Sequence, residues 1–276
     1  MYMEKSGAPR RKPVTAPGLR AMKEKGQRIV ALTAYDASFA VLAERAGVDF
    51  VLVGDSLGMV IQGQPTTLPV TVDDMVYHTR MVARGLDTAL LVADLPFMAD
   101  RNVEQALEAA WRLVAEGGAA MVKLEGAAAH HLAVIEALVS RGIPVCAHLG
   151  LTPQSVHAMG GFKIQGRQQE AAERLLQEAL QVEAAGAAAL VLEGIPTALG
   201  KIISQRLAIP TIGIGAGVEC DGQVLVIYDL LGLTPGRRPK FSKDFLEGRG
   251  SALAAVQAYA DDVRAGVFPG PEHSFD

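Results

Sequence analysis

Three short apolar runs in this chain each end in an acid: VLVGD at Asp55, LLVAD at Asp94 and MVKLE at Glu125. A continuous Val/Ile/Leu run is the mark of a buried parallel strand. Acids that close three successive strands of this kind share one face of a sheet. Adjacent carboxylates repel, so such a cluster calls for a cation or for shared protons. Oxygen donors suit Mg²⁺ or another hard divalent ion, with water and substrate completing an octahedron. The competing reading of each acid is a helix N-cap, a position that Asp favours. Asp55, followed by Ser56, fits that reading on its own; three caps in succession fit it less well.

Other residues gather on the same strand ends. Lys123 lies two positions before Glu125, so period-two alternation points both side chains to one face. A lysine in an apolar strand is costly unless it meets an anion. It can hold a substrate carboxylate, stabilise an enolate, or form a structural ion pair with one of the acids. Glu193 closes a further run, LVLEG, and is placed to be a general acid or base, a cap or an ion-pair partner. His148, in AHLG, is a candidate to polarise a carbonyl or bind metal, or a hydrogen-bonded barrel residue. Tyr35 and Asp36 follow the first strand and are candidates to face the same mouth. The glycines of GIGAG (213–217) either cradle a phosphate at a helix N-terminus or make room at a rim.

These residues need a scaffold that brings strand ends together. Apolar runs recur at 29–34, 50–54, 89–94, 119–124, 143–149, 188–193, 209–214 and 223–228. Between them lie alanine-rich stretches such as VEQALEAAWRLVAEGG, with apolar residues three and four apart and a closing glycine, as in a C-capped helix. Strand–helix alternation implies βαβ units and a parallel sheet. Eight strands over this length predict a (β/α)8 TIM barrel. A doubly wound open sheet competes, but the first strand–helix turn, TAYDAS, lacks its GxGxxG fingerprint. Two connections, 56–72 and 150–168, are too long for plain turns and leave the acid-bearing strand ends. Loops of that length are usually functional, and the second, with Gly160, Gly161 and Gly166, is a candidate lid.

Bulk properties agree with one barrel domain. The chain has 276 residues, half of them hydrophobic and only 5% aromatic. Residues 1–18, polar and proline-rich, read as a flexible arm without the apolar core of a signal peptide. The barrel and its terminal helices are expected over 19–276. A net charge of −4 with no basic stripe argues against nucleic acid as a partner. No run is long and apolar enough to span a membrane, so a cytoplasmic protein is expected. Cys146 reads as a small core residue and Cys220 lies in a turn; neither suggests a disulfide or a metal site.

Assembled in order, the stretches ALTAYDASFA, VGDSLGMVIQG, TLPVTVDDMVYHT, ADLPFM, MVKLEG, HLGLTPQSV, GGFKIQGR, LVLEGIP, IGIGAG, DGQVLV, PKF and PGPEHSF closely resemble the ketopantoate hydroxymethyltransferase family. The match runs from about residue 31 to the C-terminus. The resemblance implies a barrel of the phosphoenolpyruvate/pyruvate type and a Mg²⁺ site. By position, the family's metal ligands fall on Asp55, Asp94 and Glu125. Its keto-acid contacts fall on Asp55, Ser56, Asp94 and Lys123, and its proton acceptor on Glu193. Tyr35 and His148 are possible supports. The implied reaction transfers a hydroxymethyl group from 5,10-methylenetetrahydrofolate to 3-methyl-2-oxobutanoate in pantothenate synthesis. The implied assembly is a homo-oligomer, commonly a decamer of two pentameric rings. Metal-dependent C–C lyases and phosphonomutases share the barrel type, but the KKCGH-like cysteine signature of the isocitrate lyase branch is absent. A non-catalytic keto-acid-binding barrel is the remaining alternative; the intact set of Asp55, Asp94, Lys123, Glu125 and Glu193 argues against it.

Overall fold

The computed structural model describes residues 11–276 except 235 and 237. Eight parallel strands close into a barrel in chain order: β1 (Ile29–Thr33), β2 (Phe50–Val53), β3 (Leu90–Asp94), β4 (Met121–Glu125), β5 (Val145–Gly150), β6 (Ala189–Glu193), β7 (Thr211–Ile214) and β8 (Gly222–Leu225). The (β/α)8 reading holds, and the open sheet is excluded, because β1 pairs with β8 through Ile29 opposite Gly222 and Leu32 opposite Leu225.

Alternation along each strand sorts the apolar residues into two cores. Ile29, Ala31, Phe50, Leu52, Leu90, Val92, Met121, Cys146, Val191, Ile212 and Val224 fill the barrel interior. Their strand neighbours Val30, Leu32, Val51, Val53, Leu91, Val122, Leu124, Ala147 and Leu190 face outward against the helices. This is why both faces of β2 to β6 are largely apolar along most of their length and the runs look continuous in sequence. The inward set then continues, at the C-terminal ends, into Asp94, Lys123, Glu125, His148 and Glu193.

The helices are α1 (Ala16–Glu24), α2 (Ala37–Arg45), α3 (Leu57–Val60), α4 (Val72–Ala83), α5 (Val103–Trp111), α6 (Ala129–Val139), α7 (Gln169–Ala184), α8 (Thr197–Arg206), α9 (Ile227–Leu230) and α10 (Ala252–Arg264). The alternation is incomplete at one point: residues 215–221 return the chain from β7 to β8 without a helix. The last long helix closes the ring instead. The Tyr259 hydroxyl on α10 is fully buried and donates, at 2.9 Å, toward the Ala31 and Gln223 carbonyls of β1 and β8.

The first helix starts earlier than the sequence suggests. A helix begins at Ala16, capped by the Thr15 side chain, rather than near Leu19. Residues 1–10 of the expected arm lie outside the described residues. Within 11–18, Arg11 donates to the Gly47 and Val48 carbonyls and pairs with Asp49 at 3.0 Å. The prolines on either side of Thr15 give this stretch the composition of a linker, which masks the cap in sequence. The helix it starts carries Ala16 and Leu19 into the interior core, and Lys23 ties it to Asp221 and to the Ser204 and Ile209 carbonyls. It therefore plugs the end of the barrel remote from the acids. Leu19→Ala is expected to cost about 2–5 kcal/mol, read as a lower denaturation midpoint at unchanged m.

Candidate active site

The opposite end of the barrel opens into a cavity of about 880 Å³. Asp55, Ser56, Asp94, Lys123, Glu125, His148 and Glu193 all line it. Asp55 lies just past β2; Asp94, Glu125 and Glu193 are the last residues of β3, β4 and β6. None of them caps a helix: the caps that follow are Ser56, Asn102, Ala128 and Pro196. Asp36 is the exception among the candidates. It accepts from the Phe39 backbone N–H and caps α2, so it is structural.

The cluster is tightly bonded. Lys123 Nζ lies 3.0 Å from Asp94 Oδ1 and 3.9 Å from Glu125 Oε1. His148 Nδ1 lies 3.2 Å from Glu125 Oε1, and its Nε2 lies 3.3 Å from Glu193 Oε2. His148 thus bridges the three-acid cluster and Glu193, which are not as separate as strand order suggests. The Asp55 backbone N–H donates to Asp94 Oδ2 at 3.1 Å. Tyr35 does not line the cavity; its buried hydroxyl lies 2.8 Å from Ser56 Oγ and fixes that side chain.

Burial and charge set the protonation tendencies. Asp55, Asp94 and Lys123 are each 3% exposed. Burial, with the Asp94 and Glu125 carboxylates beside it, pushes the Asp55 acid well above its ordinary range. Burial also raises Asp94, against the pull of Lys123. Burial disfavours the Lys123 ammonium, but Asp94, Glu125 and Asp55 outweigh it and hold the group above its usual value. Glu125 is lowered: burial raises it, yet the His148 ring, Lys123 and the Gln154 N–H more than compensate. His148 is raised to about 9, because Glu125 and Glu193 overcome burial and the Lys123 charge.

Gln154 is a site residue that chain-order reasoning passed over. It sits in a short 3-10 turn, Pro153–Ser155, at the start of the long loop after β5. Its backbone N–H donates to Glu125 Oε2 at 3.0 Å, and its side-chain Nε2 donates to Asp55 Oδ2 at 2.8 Å and to the Leu95 carbonyl at 3.0 Å. A neutral residue in a loop carries no charge or spacing signal; only its place in HLGLTPQSV marked it. Gln154→Ala removes a bond to a buried carboxylate, worth about 1.5–3 kcal/mol. It is expected to weaken keto-acid binding by about tenfold or more, measured by titration calorimetry.

The donor set fits a hard cation that retains water. Four carboxylates meet only two cationic side chains, Lys123 and His148. Among the described residues, no three His, Cys, Asp or Glu side chains form a ready-made cage. Asp94 Oδ1 and His148 Nε2 are buried and meet only the ion-pair contacts to Lys123 and Glu193, at 3.0 and 3.3 Å, which leaves lone-pair capacity on the Asp94 oxygen for a further ligand. Mg²⁺ is typically held by one or two carboxylates, with waters and substrate supplying the rest. An incomplete cage of buried carboxylate oxygens matches that habit.

The glycines of 213–217 resolve in favour of space. A Cβ on Gly213 would meet Cys220 Sγ at 3.1 Å, and one on Gly217 would meet Thr197 Cγ2 at 2.5 Å. Gly215 lets Phe241 and Phe275 approach the end of β7.

Comparison with known proteins bears on the family of the chain. The model of the family described as ketopantoate hydroxymethyltransferase matches residues 13–271. This chain belongs to that family. Similar curated relatives are 3-methyl-2-oxobutanoate hydroxymethyltransferases from Halorhodospira halophila (57% identical, covering 95% of each chain), Ralstonia nicotianae (58%, 96% of each) and Alkalilimnicola ehrlichii (56%, 96% of this chain and 95% of the relative). Solved structures of similar shape include phosphonopyruvate hydrolase (TM-score 0.61, 16% identical, 79% of this chain and 83% of that one). Another is 2,3-dimethylmalate lyase (TM-score 0.57, 19% identical, 80% and 82%). At that identity they speak for the fold of the ketopantoate hydroxymethyltransferase family and for nothing finer. No helix among the described residues is long and apolar enough to cross a membrane.

Proposed function

We propose that this member of the family is a hydroxymethyltransferase that converts 3-methyl-2-oxobutanoate to 2-dehydropantoate, with 5,10-methylenetetrahydrofolate as one-carbon donor, in cytoplasmic pantothenate synthesis. The observation that carries the reading is the family match over residues 13–271, joined to a barrel mouth that unites the acids, the lysine and the histidine. Asp55 and Asp94, with Glu125, would hold a Mg²⁺ ion. When bound, the ion supplies Lewis acidity toward the keto oxygen.

The chain's own side chains account for the remaining work. Asp55, Ser56, Asp94 and Lys123 bind the keto acid. Ser56 is oriented by the Tyr35 hydroxyl. The Lys123 ammonium, kept charged by three acids, opposes the negative charge that grows on the substrate oxygen as C3 loses its proton. Glu193 takes that proton. His148, 3.3 Å from Glu193 Oε2, orients the carboxylate and couples it to Glu125. The loop after β5 brings Gln154 onto Asp55 and Phe162 and Ile164 onto the cavity, which limits water at the reacting carbon.

A homo-oligomer, with a decamer of two pentameric rings as its form, belongs to the same proposal. Tyr77 and Trp111, each about half exposed on α4 and α5, offer apolar contact to a second copy. The deciding experiment is an assay of keto-acid- and folate-dependent hydroxymethyl transfer, with and without chelator. Transfer that stops with EDTA and returns with Mg²⁺ supports the reading. Turnover of phosphonopyruvate or of a malate-type lyase substrate in place of the keto acid would overturn it.

A further inference from the structure

The cavity is larger than a small keto acid requires, and its two sides differ in chemistry. The charged cluster occupies the ends of β2 to β5. The ends of β7 and β8 contribute Ile214, Val224 and Leu225 instead, and Phe241, from the segment between α9 and α10, and Phe275, from the C-terminus, fold over them. The aromatic part of this wall is held in place. A Cβ on Gly215 would stand 2.9 Å from Phe275 Cε2 and 3.1 Å from Phe241 Cβ, so the two rings close on a position only glycine can occupy, at φ +63°. The Thr197 backbone N–H and hydroxyl donate to the Phe275 carbonyl at 2.8 and 3.1 Å. Lys240 Nζ sits 5.0 Å from the Phe275 ring centroid.

One buried acid on this side has no part in the keto-acid chemistry. Asp229, on α9 just after β8, lines the cavity and is 6% exposed. Its Oδ1 accepts from the Thr234 hydroxyl, and burial raises its acid above the ordinary carboxylate range. A buried carboxylate beside flat apolar walls suits a planar ring that donates N–H groups from one edge. The exposed cations Arg238 and Lys240 stand on the same side of the cavity lining and suit an anionic tail. A flat, N–H-bearing heteroaromatic with a carboxylate tail has the chemistry of a reduced folate.

We propose that the β7–β8 side of the mouth is the donor subsite, with the pteridine ring against Phe241 and Phe275 and its amino–amide edge donating to Asp229. The assignment rests on the hydroxymethyltransferase reading and extends it to residues outside the keto-acid site. It places the donor's methylene between its own wall and the keto acid, with Glu193 at the seam on β6.

Asp229→Asn and Phe241→Ala test it in the intact chain. Two readouts are compared: the KM for methylenetetrahydrofolate in the transfer assay, and exchange of the keto acid's C3 hydrogen with D2O in the absence of folate. Loss of a charge-assisted bond is expected to raise the folate KM by about 10- to 100-fold in Asp229→Asn. Phe241→Ala is expected to raise it by about tenfold or more through lost stacking area. C3 exchange, which needs only the β2–β6 residues, continues in both. Folate KM unchanged in both variants, with exchange intact, overturns the subsite. Failure of the wild-type protein to show either exchange or transfer overturns the enzymatic reading beneath it. A variant that loses exchange along with folate affinity is misfolded or acts through the keto-acid site, and that outcome in both variants also overturns the subsite.

Discussion

Glu193→Gln is expected to lose exchange of the keto acid's C3 hydrogen with solvent deuterium by a factor of about 10²–10⁴, while the keto acid still binds. The substitution keeps the shape of the side chain and removes its capacity to accept a proton. Glu193 is the least buried acid of the site, with its side chain 14% exposed against 3–4% for Glu125 and Asp94. It is also the one acid that pairs with neither Lys123 nor Gln154. Those two facts set it apart as the acid left open toward the substrate, while Asp94 and Glu125 are held by Lys123 and Asp55 by Gln154. Binding of keto acid by calorimetry should stay within about threefold of wild type, a difference under 1 kcal/mol. Exchange at the wild-type rate in this variant would remove Glu193 from the proton-transfer role and leave His148 as the nearest alternative.

Much of this arrangement was legible in the chain because strand periodicity and chemistry coincide. The runs ending at Asp94, Glu125 and Glu193 are β3, β4 and β6, and each acid is the last residue of its strand. Lys123 and Glu125 share a face because they are two apart, and their charged atoms come within 3.9 Å. Register is what made the acids meet: Asp94 lies opposite Lys123, Glu125 opposite His148, and Gly150 opposite Glu193. Other contacts were not legible. Gln154 reaches two carboxylates from a loop whose path no periodicity describes. Thr15 starts a helix inside a proline-rich stretch that reads as a tail. The missing helix between β7 and β8 was hidden because a turn-rich stretch, GAGVECDG, can be either a short return or the edge of a crossover. Asp36 and Asp55 show the same limit from the other side. Each is an Asp after a strand, at the start of a helical pattern. Only the packed structure separates the cap from the site residue: Asp36 meets the Phe39 N–H, whereas Asp55 meets Gln154.

Lys123→Met should carry the largest combined effect. In the folded protein, the ammonium offsets three carboxylates that lie buried around it: Asp94 at 3.0 Å, Glu125 at 3.9 Å, and Asp55 through the field it exerts. Removing one partner from a buried ion cluster costs about 3–5 kcal/mol, since the remaining charges lose compensation that water cannot restore. Metal-free Lys123→Met is therefore expected to unfold at lower denaturant concentration. Turnover should fall by about 10²–10³, the usual loss when a preorganised charge at a developing oxyanion is deleted. A stability defect alone can also lower apparent activity, and a compensating variant separates the two causes. In Lys123→Met/Asp94→Asn one negative charge leaves with the positive one, and the side chains keep similar volumes. Stability should then recover by a large part of the single-variant loss, while turnover stays low or falls further, because neither the ammonium nor the Asp94 carboxylate is available to the substrate. Recovery of both stability and turnover in the double variant would make Lys123 a structural counter-ion. Recovery of stability alone is expected, since Asp94 is itself a substrate residue, and a fall in turnover of about 10²–10³ in the single variant assayed where it is fully folded places the ammonium on the substrate.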